Sequence, residues 1–158
     1  MYLFMALAAV LAVGLDQFTK YLTVLKIEEW GAQKAIPGLF SLTFCKNTGA
    51  AWSSFEGQIW LFIVVFLVLT AGIIWEFKTK KLGFTNFERW CILFVWAGGL
   101  GNMIDRIRLG YVVDMINLEF MNFPVFNVAD CFITCGCAAL ILHLAFFNKA
   151  FWKEEKKK

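Results

Sequence analysis

Residues 58–77 read Gln58-Ile59-Trp60-Leu61-Phe62-Ile63-Val64-Val65-Phe66-Leu67-Val68-Leu69-Thr70-Ala71-Gly72-Ile73-Ile74-Trp75-Glu76-Phe77. The stretch carries one charge, Glu76, and has a tryptophan near each edge, where interfacial aromatics belong. At 1.5 Å per residue it crosses a hydrocarbon layer of about 30 Å as a helix. The rest of the chain repeats this pattern less cleanly. Further spans are expected over 2–25, 87–105 and 128–148, which predicts an all-α membrane protein with four transmembrane helices and short extended extracytoplasmic segments. The first run is broken by Asp16 and Lys20 and then resumes. Its Ala6-Leu7-Ala8-Ala9 looks like the apolar region of a secretory signal, yet no Lys/Arg region precedes it and the pattern continues past Asp16, so it reads as a retained helix.

Composition agrees. Of 158 residues 60% are apolar and 18% aromatic, with 17% charged and a mean hydropathy of +0.67. Soluble domains average about 45–50% apolar and ~25% charged. Eighteen phenylalanines and seven tryptophans exceed what one globular core of this length hides. A disordered or nucleic-acid-coating protein is excluded, and four spans leave room for a single domain over 1–158. The loop from Lys78 to Arg89 and the Lys-rich tail are the basic segments. Both termini are therefore expected in the cytoplasm. Segments 26–56 and 106–126 then lie outside, and Leu39–Phe44 and Tyr111–Ile116 alternate enough to suggest extended pieces.

An ionised side chain deep in a bilayer costs roughly 2.5–3.5 kcal/mol on insertion scales, so Asp, Asn, Lys and Arg near the spans are functional candidates. Here they collect at one level. Asp16 and Lys20 end helix 1, Asn102, Asp105 and Arg106 end helix 3, and Asn127 and Asp130 begin helix 4, while Asn47 and Asp114 can fold back to the same height. Neighbours sort the aspartates. Asp16 has Lys20 four residues on, and Asp105 adjoins Arg106 and precedes Arg108 by three, so both are expected to stay ionised and structural. Asp114 lies among Val112, Val113, Met115 and Ile116, and Asp130 between Ala129 and Cys131, with no local cation. Two such carboxyls brought together share one proton. An aspartic peptidase needs that arrangement, one carboxylate taking a proton from water while the other polarises the scissile carbonyl. Blander roles exist for each: Asp130 as a helix N-terminal acid three after the N-cap Asn127, Asp114 as a turn residue, Asn102 as an interhelical hydrogen bond, Arg106 as an interface anchor. Their coincidence at one level favours a site.

Cys45, Cys91, Cys131, Cys135 and Cys137 have no paired metal-ligand spacing and read as small buried apolar residues. His143 stands alone near the inner end of helix 4. Nucleotide, serine-hydrolase and zinc-peptidase motifs are absent.

Asp16-Gln17-Phe18-Thr19-Lys20, Asn47-Thr48-Gly49-Ala50-Ala51, Gly98-Gly99-Leu100-Gly101-Asn102-Met103-Ile104-Asp105-Arg106, Gly110-Tyr111-Val112-Val113-Asp114 and Phe123-Pro124-Val125-Phe126-Asn127-Val128-Ala129-Asp130 resemble, in order and spacing, the signature blocks of bacterial lipoprotein signal peptidases, also called signal peptidase II. The resemblance implies an inner-membrane aspartic endopeptidase that cuts prolipoproteins before their diacylglyceryl-modified cysteine. It puts Asp114 and Asp130 on the catalytic pair, Asn47, Asn102, Arg106 and Asn127 on substrate-binding positions, and Asp16, Lys20, Gly49, Asp105 and Ala129 in support of the pocket. The same resemblance implies block by globomycin-type antibiotics and contact with membrane lipid; an aspartic dyad activates water unaided, so no cofactor is expected. Trp52 and Met115 stand where the family usually has Phe, which bears on pocket shape. Segment 26–56, with turn points at Gly31, Pro37 and Gly38, is expected to act as a lid over lipid and peptide. Two rival readings remain: an ion-coupled transporter, which requires polar residues through the full membrane depth, and a structural subunit, which tolerates Asn at 114 and 130.

Overall fold

The computed structural model describes residues 1–49 and 54–148, without the side chains of 28–30. Four long helices and a small sheet follow one another as α1 (Tyr2–Trp30), β1 (Gln33–Ile36), β2 (Phe40–Asn47), α2 (Ile59–Thr79), α3 (Asn86–Leu109), β3 (Val112–Leu118) and α4 (Val128–Phe146). Local chemistry sets the ends. α1 runs on past residue 25 because nothing in it stops a helix until Gly31, at φ 77°. Thr85 and Glu88 form a reciprocal capping box at the start of α3, and Asn127 and Asp130 form another at the start of α4, so the N-cap expected at Asn127 is present. Gly110, at φ 81°, closes α3 in the left-handed conformation that favours glycine, after a last turn carrying Arg106 and Arg108.

Among the described residues, three helices are long and apolar enough to cross a membrane: Tyr2–Ile27 of α1, α2 and α4. The expected fourth, α3, is long but carries Glu88, Arg89, Asp105, Arg106 and Arg108. It is the inner helix. Its Leu93 and Ala97 pack with Met5, Ala9 and Ala12 of α1. Gly98 lies under the Ala129 carbonyl of α4, Gly101 against the Asp16 carboxylate, and Gly136 of α4 against Val95 and the Cys91 carbonyl; a methyl group has no room at any of the three. These small residues let α3 pack closely against α1 and α4. The outward faces stay apolar: Phe4, Val10, Leu11, Val68 and Ile141 are all more than 60% exposed. A bundle as apolar outside as inside has lipid for its solvent.

The extended segments expected outside the helices form one antiparallel sheet in the order β1-β2-β3. Cys45 pairs with Asp114 and Asn47 with Val112, with a register shift between Leu42 and Cys45. Ile116 also bridges to Phe126, which brings the chain entering α4 back beside β3. Backbone pairing thereby fixes Asp114 directly and holds the chain at Phe126, four residues before Asp130, beside it.

Candidate active site

Strand β3 leaves α3 at Gly110 and is tied back to it at once, the Val113 amide donating to Asp105 Oδ2 at 3.1 Å. Asp114 then turns into a ring of amides. Asn47 Nδ2 donates to its Oδ2 at 2.8 Å and Asn127 Nδ2 to its Oδ1 at 2.6 Å. Asp130 accepts the Asn127 backbone N–H on Oδ2 at 3.0 Å and Asn102 Nδ2 on Oδ1 at 2.8 Å. Asn127, fully buried, thus holds one carboxyl through its side chain and the other through its backbone.

The three amides can face only one way. Asn47 Oδ1 accepts from the Gly49 amide, Asn127 Oδ1 from the Asp130 amide, and Asn102 Oδ1 from the Lys20 ammonium at 2.8 Å. Backbone N–H and ammonium groups only donate, so each Asn Nδ2 is left to point at an aspartate or a neighbouring carbonyl.

Beneath them lies a buried ion cluster. Lys20 Nζ sits 3.0 Å from Asp16 Oδ2 and 3.1 Å from Asp105 Oδ2, all three side chains within 3% of complete burial. The Asp16–Lys20 pair is the one expected from their spacing. Asp105 is paired too, but with Lys20 across the helices rather than with the adjacent arginines, because β3 and α1 close over it. Asp16 Oδ1 also accepts the Ala129 amide at 3.0 Å, which anchors the first turn of α4. Gln17, which the sequence did not single out, donates to Asp105 Oδ1, Asp16 Oδ2 and the Gly101 carbonyl; only its place one residue after Asp16 could have signalled it.

Arg106 turns the other way. Its guanidinium lies 4.2 Å above the Phe62 ring of α2 and donates to the Gly49 carbonyl at 2.7 Å, holding the strand end against α3. Asn47, Asn102, Arg106, Asp114 and Asp130 together make the polar end of a cavity of about 730 Å³ whose walls are Phe62, Phe66 and Ile133 with their neighbours on α2 and α4. That is the size and character of a ligand site, apolar with a few convergent polar groups. Asp114 is 1% exposed. Burial first, and then the negative charge of Asp130, push its carboxyl up to about 6, against the pull of the Asn47 and Asn127 hydrogen bonds and of Lys20. Asp130 is only half-buried. The pair therefore offers a carboxyl that holds its proton up to about pH 6 beside a more accessible one, which suits transfer of protons to and from water.

All eleven residues singled out from the sequence meet in this one region. Met115 is buried; Trp52 lies outside the described residues. The cysteines differ from their expectation: only Cys91 is buried, and Cys135 is exposed on α4, where with Cys131 it lines the cavity. His143 is not alone either. It bonds Glu88 at 2.8 Å in a second polar cluster at the far end, where Asn148 joins Glu88 and Arg89 meets Glu76 at 3.5 Å. The Thr85-x-x-Glu88 spacing was its sequence signal.

The family model described as signal peptidase (SPase) II matches residues 8–146. The chain is 44% identical over 149 residues to the lipoprotein signal peptidase of Enterococcus faecalis, covering 91% of this chain and 89% of that one. It is 42% identical over 154 residues to the lipoprotein signal peptidase of Streptococcus thermophilus, covering 93% and 92%. Among solved structures it matches two bacterial membrane enzymes, each at 31% identity. Their TM-scores are 0.84 and 0.79, with 92% and 91% of this chain covered and 90% and 94% of theirs.

Proposed function

The chain belongs to the signal peptidase II family, and from that premise we propose that it cleaves prolipoproteins by aspartic chemistry, with Asp114 and Asp130 as the catalytic pair. It is a multi-pass membrane protease of lipoprotein maturation. The observation that carries the aspartic reading is Asn127, whose side chain holds Asp114 and whose backbone holds Asp130 at the polar end of an apolar cavity.

In the proposed reaction a water lies between the carboxyls. The ionised one takes a proton from it as its oxygen attacks the carbonyl before the lipidated cysteine, and the protonated one gives its proton to the carbonyl oxygen. The tetrahedral diol then collapses: one hydroxyl proton returns to a carboxylate, the cysteine nitrogen takes the other carboxyl's proton, and the C–N bond breaks. Signal peptide acid and lipoprotein amine leave, with one water consumed. Asn47, Asn102, Asn127 and Arg106 bind the peptide backbone and shape the pocket, and Asp16, Lys20, Gly49, Asp105 and Ala129 hold them in place. A diacylglyceryl group and an apolar signal helix both partition into lipid, and the walls on α2 and α4 offer them apolar surface.

On this reading α3 is the fourth span, its charges met inside the protein or at its two ends as the bilayer demands. Both termini and the Lys78–Arg89 loop face the cytoplasm of a bacterial inner membrane, the aspartates lie at the extracytoplasmic face, and segment 26–56 roofs the substrate. Globomycin-type inhibitors occupy the same cavity. The test is cleavage of a prolipoprotein with and without its diacylglyceryl group by the purified protein in detergent. A cut only in the lipidated form, leaving the modified cysteine as the new N-terminus by mass spectrometry, supports the function. A folded protein that cuts none of several lipidated precursors overturns it.

A further inference from the structure

Asn102 is bonded on both sides. Its carbonyl accepts from Lys20 Nζ at 2.8 Å and from Asn127 Nδ2 at 3.0 Å, and its amide donates to Asp130 Oδ1 at 2.8 Å. Lys20 is the cation bonded to the Asn102 side chain, whereas Arg106 bonds only the Asn102 backbone carbonyl, at 3.3 Å; a hydrogen bond that begins at a charge polarises the next one in a buried network. Asp130 also lies in the first turn of α4 and takes the Asn127 amide into its other oxygen, a position that favours an anion. Asp114 lacks both the helix end and a bonded route to a charge: it sits in an apolar strand, its donors Asn47 and Asn127 are neutral amides, and Lys20 acts on it only through space, against the larger effect of burial.

We propose that Lys20 is a positioning residue which, through Asn102, holds Asp130 as the anionic base of the pair and leaves the resting proton on Asp114. The inference rests on the aspartic reading above. It divides the roles within the pair, which that reading leaves open. The charged and titratable groups facing the pair are Lys20 and Asp16 from α1, Asp105 and Arg106 from α3, Cys45 from β2 and Cys131 from α4; the α2 wall contributes only apolar side chains. Since Asp16 and Asp105 bring two negative charges to one Lys20, the cluster itself carries a net negative charge. Its effect on Asp130 must therefore be local and pass through the oriented amide, not through a bulk positive field.

The test is the pH dependence of kcat/KM for a lipidated prolipoprotein. Lys20→Met combined with Asp105→Asn removes one charge of each sign, so net charge is constant while the route through Asn102 is lost; an Asn102→Ser background separates that route from the loss of the ion pairs. The acid limb is expected to move up by about one pH unit, with kcat falling about tenfold on that limb and KM changing by less than about twofold. Lys20→Arg, which keeps the charge and its donors, is expected to stay near the wild-type profile. In an Asn102→Ser background the charge-matched exchange is expected to move the profile no further. If the double variant loses its fold, Asn102→Leu carries the same test, because the near-isosteric side chain adds no charge while Asp130 loses its donor. A wild-type acid limb in either folded variant, or a shift that persists in the Asn102→Ser background, overturns the inference. Asp114→Asn and Asp130→Asn are run beside them: full activity in either removes the aspartic reading itself, whereas loss in both keeps that reading whatever Lys20 does.

Discussion

Asp114 is where residue chemistry and stability oppose each other. Its carboxyl is pushed up to about 6 from an ordinary 3.8. Below about pH 3.8 it is neutral folded or unfolded and contributes nothing. Between there and about pH 6 the unfolded chain ionises while the folded one keeps its proton, so native stability falls as pH rises, by roughly 3 kcal/mol in all. Asp114→Asn does not titrate. Its melting temperature relative to wild type is expected to be higher at pH 8 than at pH 4; no difference between the two contradicts the burial argument. Cys45, opposite Asp114 in the sheet, reports the same charge, since its thiol is pushed up by burial and then by Asp114. With the other cysteines replaced by serine, Asp114→Asn is expected to speed alkylation of Cys45 several-fold at pH 8, and an unchanged rate would place the two side chains out of electrical reach. The sequence announced both aspartates through their apolar neighbours. It misled on Asp105, because adjacency in the chain suggested Arg106 as partner and only the folded helices could bring Lys20 to it. Gln17 and Phe62 were hidden for the same reason: their contacts span 88 and 44 residues respectively.

Elements are set by caps and by glycines, and the glycines separate cleanly. An alanine methyl at Gly98 meets the Ala129 carbonyl and at Gly101 the Asp16 carboxylate, whereas at Gly14 and Gly72 it meets nothing. Gly98→Ala and Gly101→Ala are expected to cost about 1–3 kcal/mol by overpacking, while Gly14→Ala and Gly72→Ala gain up to about 1 kcal/mol of helix propensity. Thermal unfolding in one detergent compares all four, and equal effects would refute the close α3 contacts. Thr85→Ala, which breaks the α3 capping box, is expected to cost about 1 kcal/mol by the same measurement. Periodicity and apolar run length made α2 and α4 plain in the sequence, and the Asn127 cap could be read from Pro124-x-x-Asn127. Hydropathy understates α3 because Glu88, Arg89 and Asp105 belong to two buried clusters, one at each end. The Glu88–His143 contact closes across 55 residues, so neither partner advertises the other locally.

At the scale of the molecule, a polar cluster stands at each end of an apolar bundle, and among the described residues the middle holds little beyond the Trp96–Thr70 hydrogen bond. An ion path needs polar groups at every depth. A peptidase needs them only where the bond is cut, and the aspartates, the three oriented asparagines and Arg106 all lie at one end, where the cavity reaches them along α2 and α4. A structural subunit would share the glycine packing of α3 but has no use for two carboxyls held by one asparagine. The most direct measurement is cleavage of a diacylglyceryl-modified prolipoprotein by wild type, Asp114→Asn and Asp130→Asn, each shown to be folded by its thermal transition and followed by the fall in substrate size. Rapid cleavage by wild type with at least a hundredfold loss in each variant is the result the account requires; an asparagine at either position that cuts at the wild-type rate contradicts it.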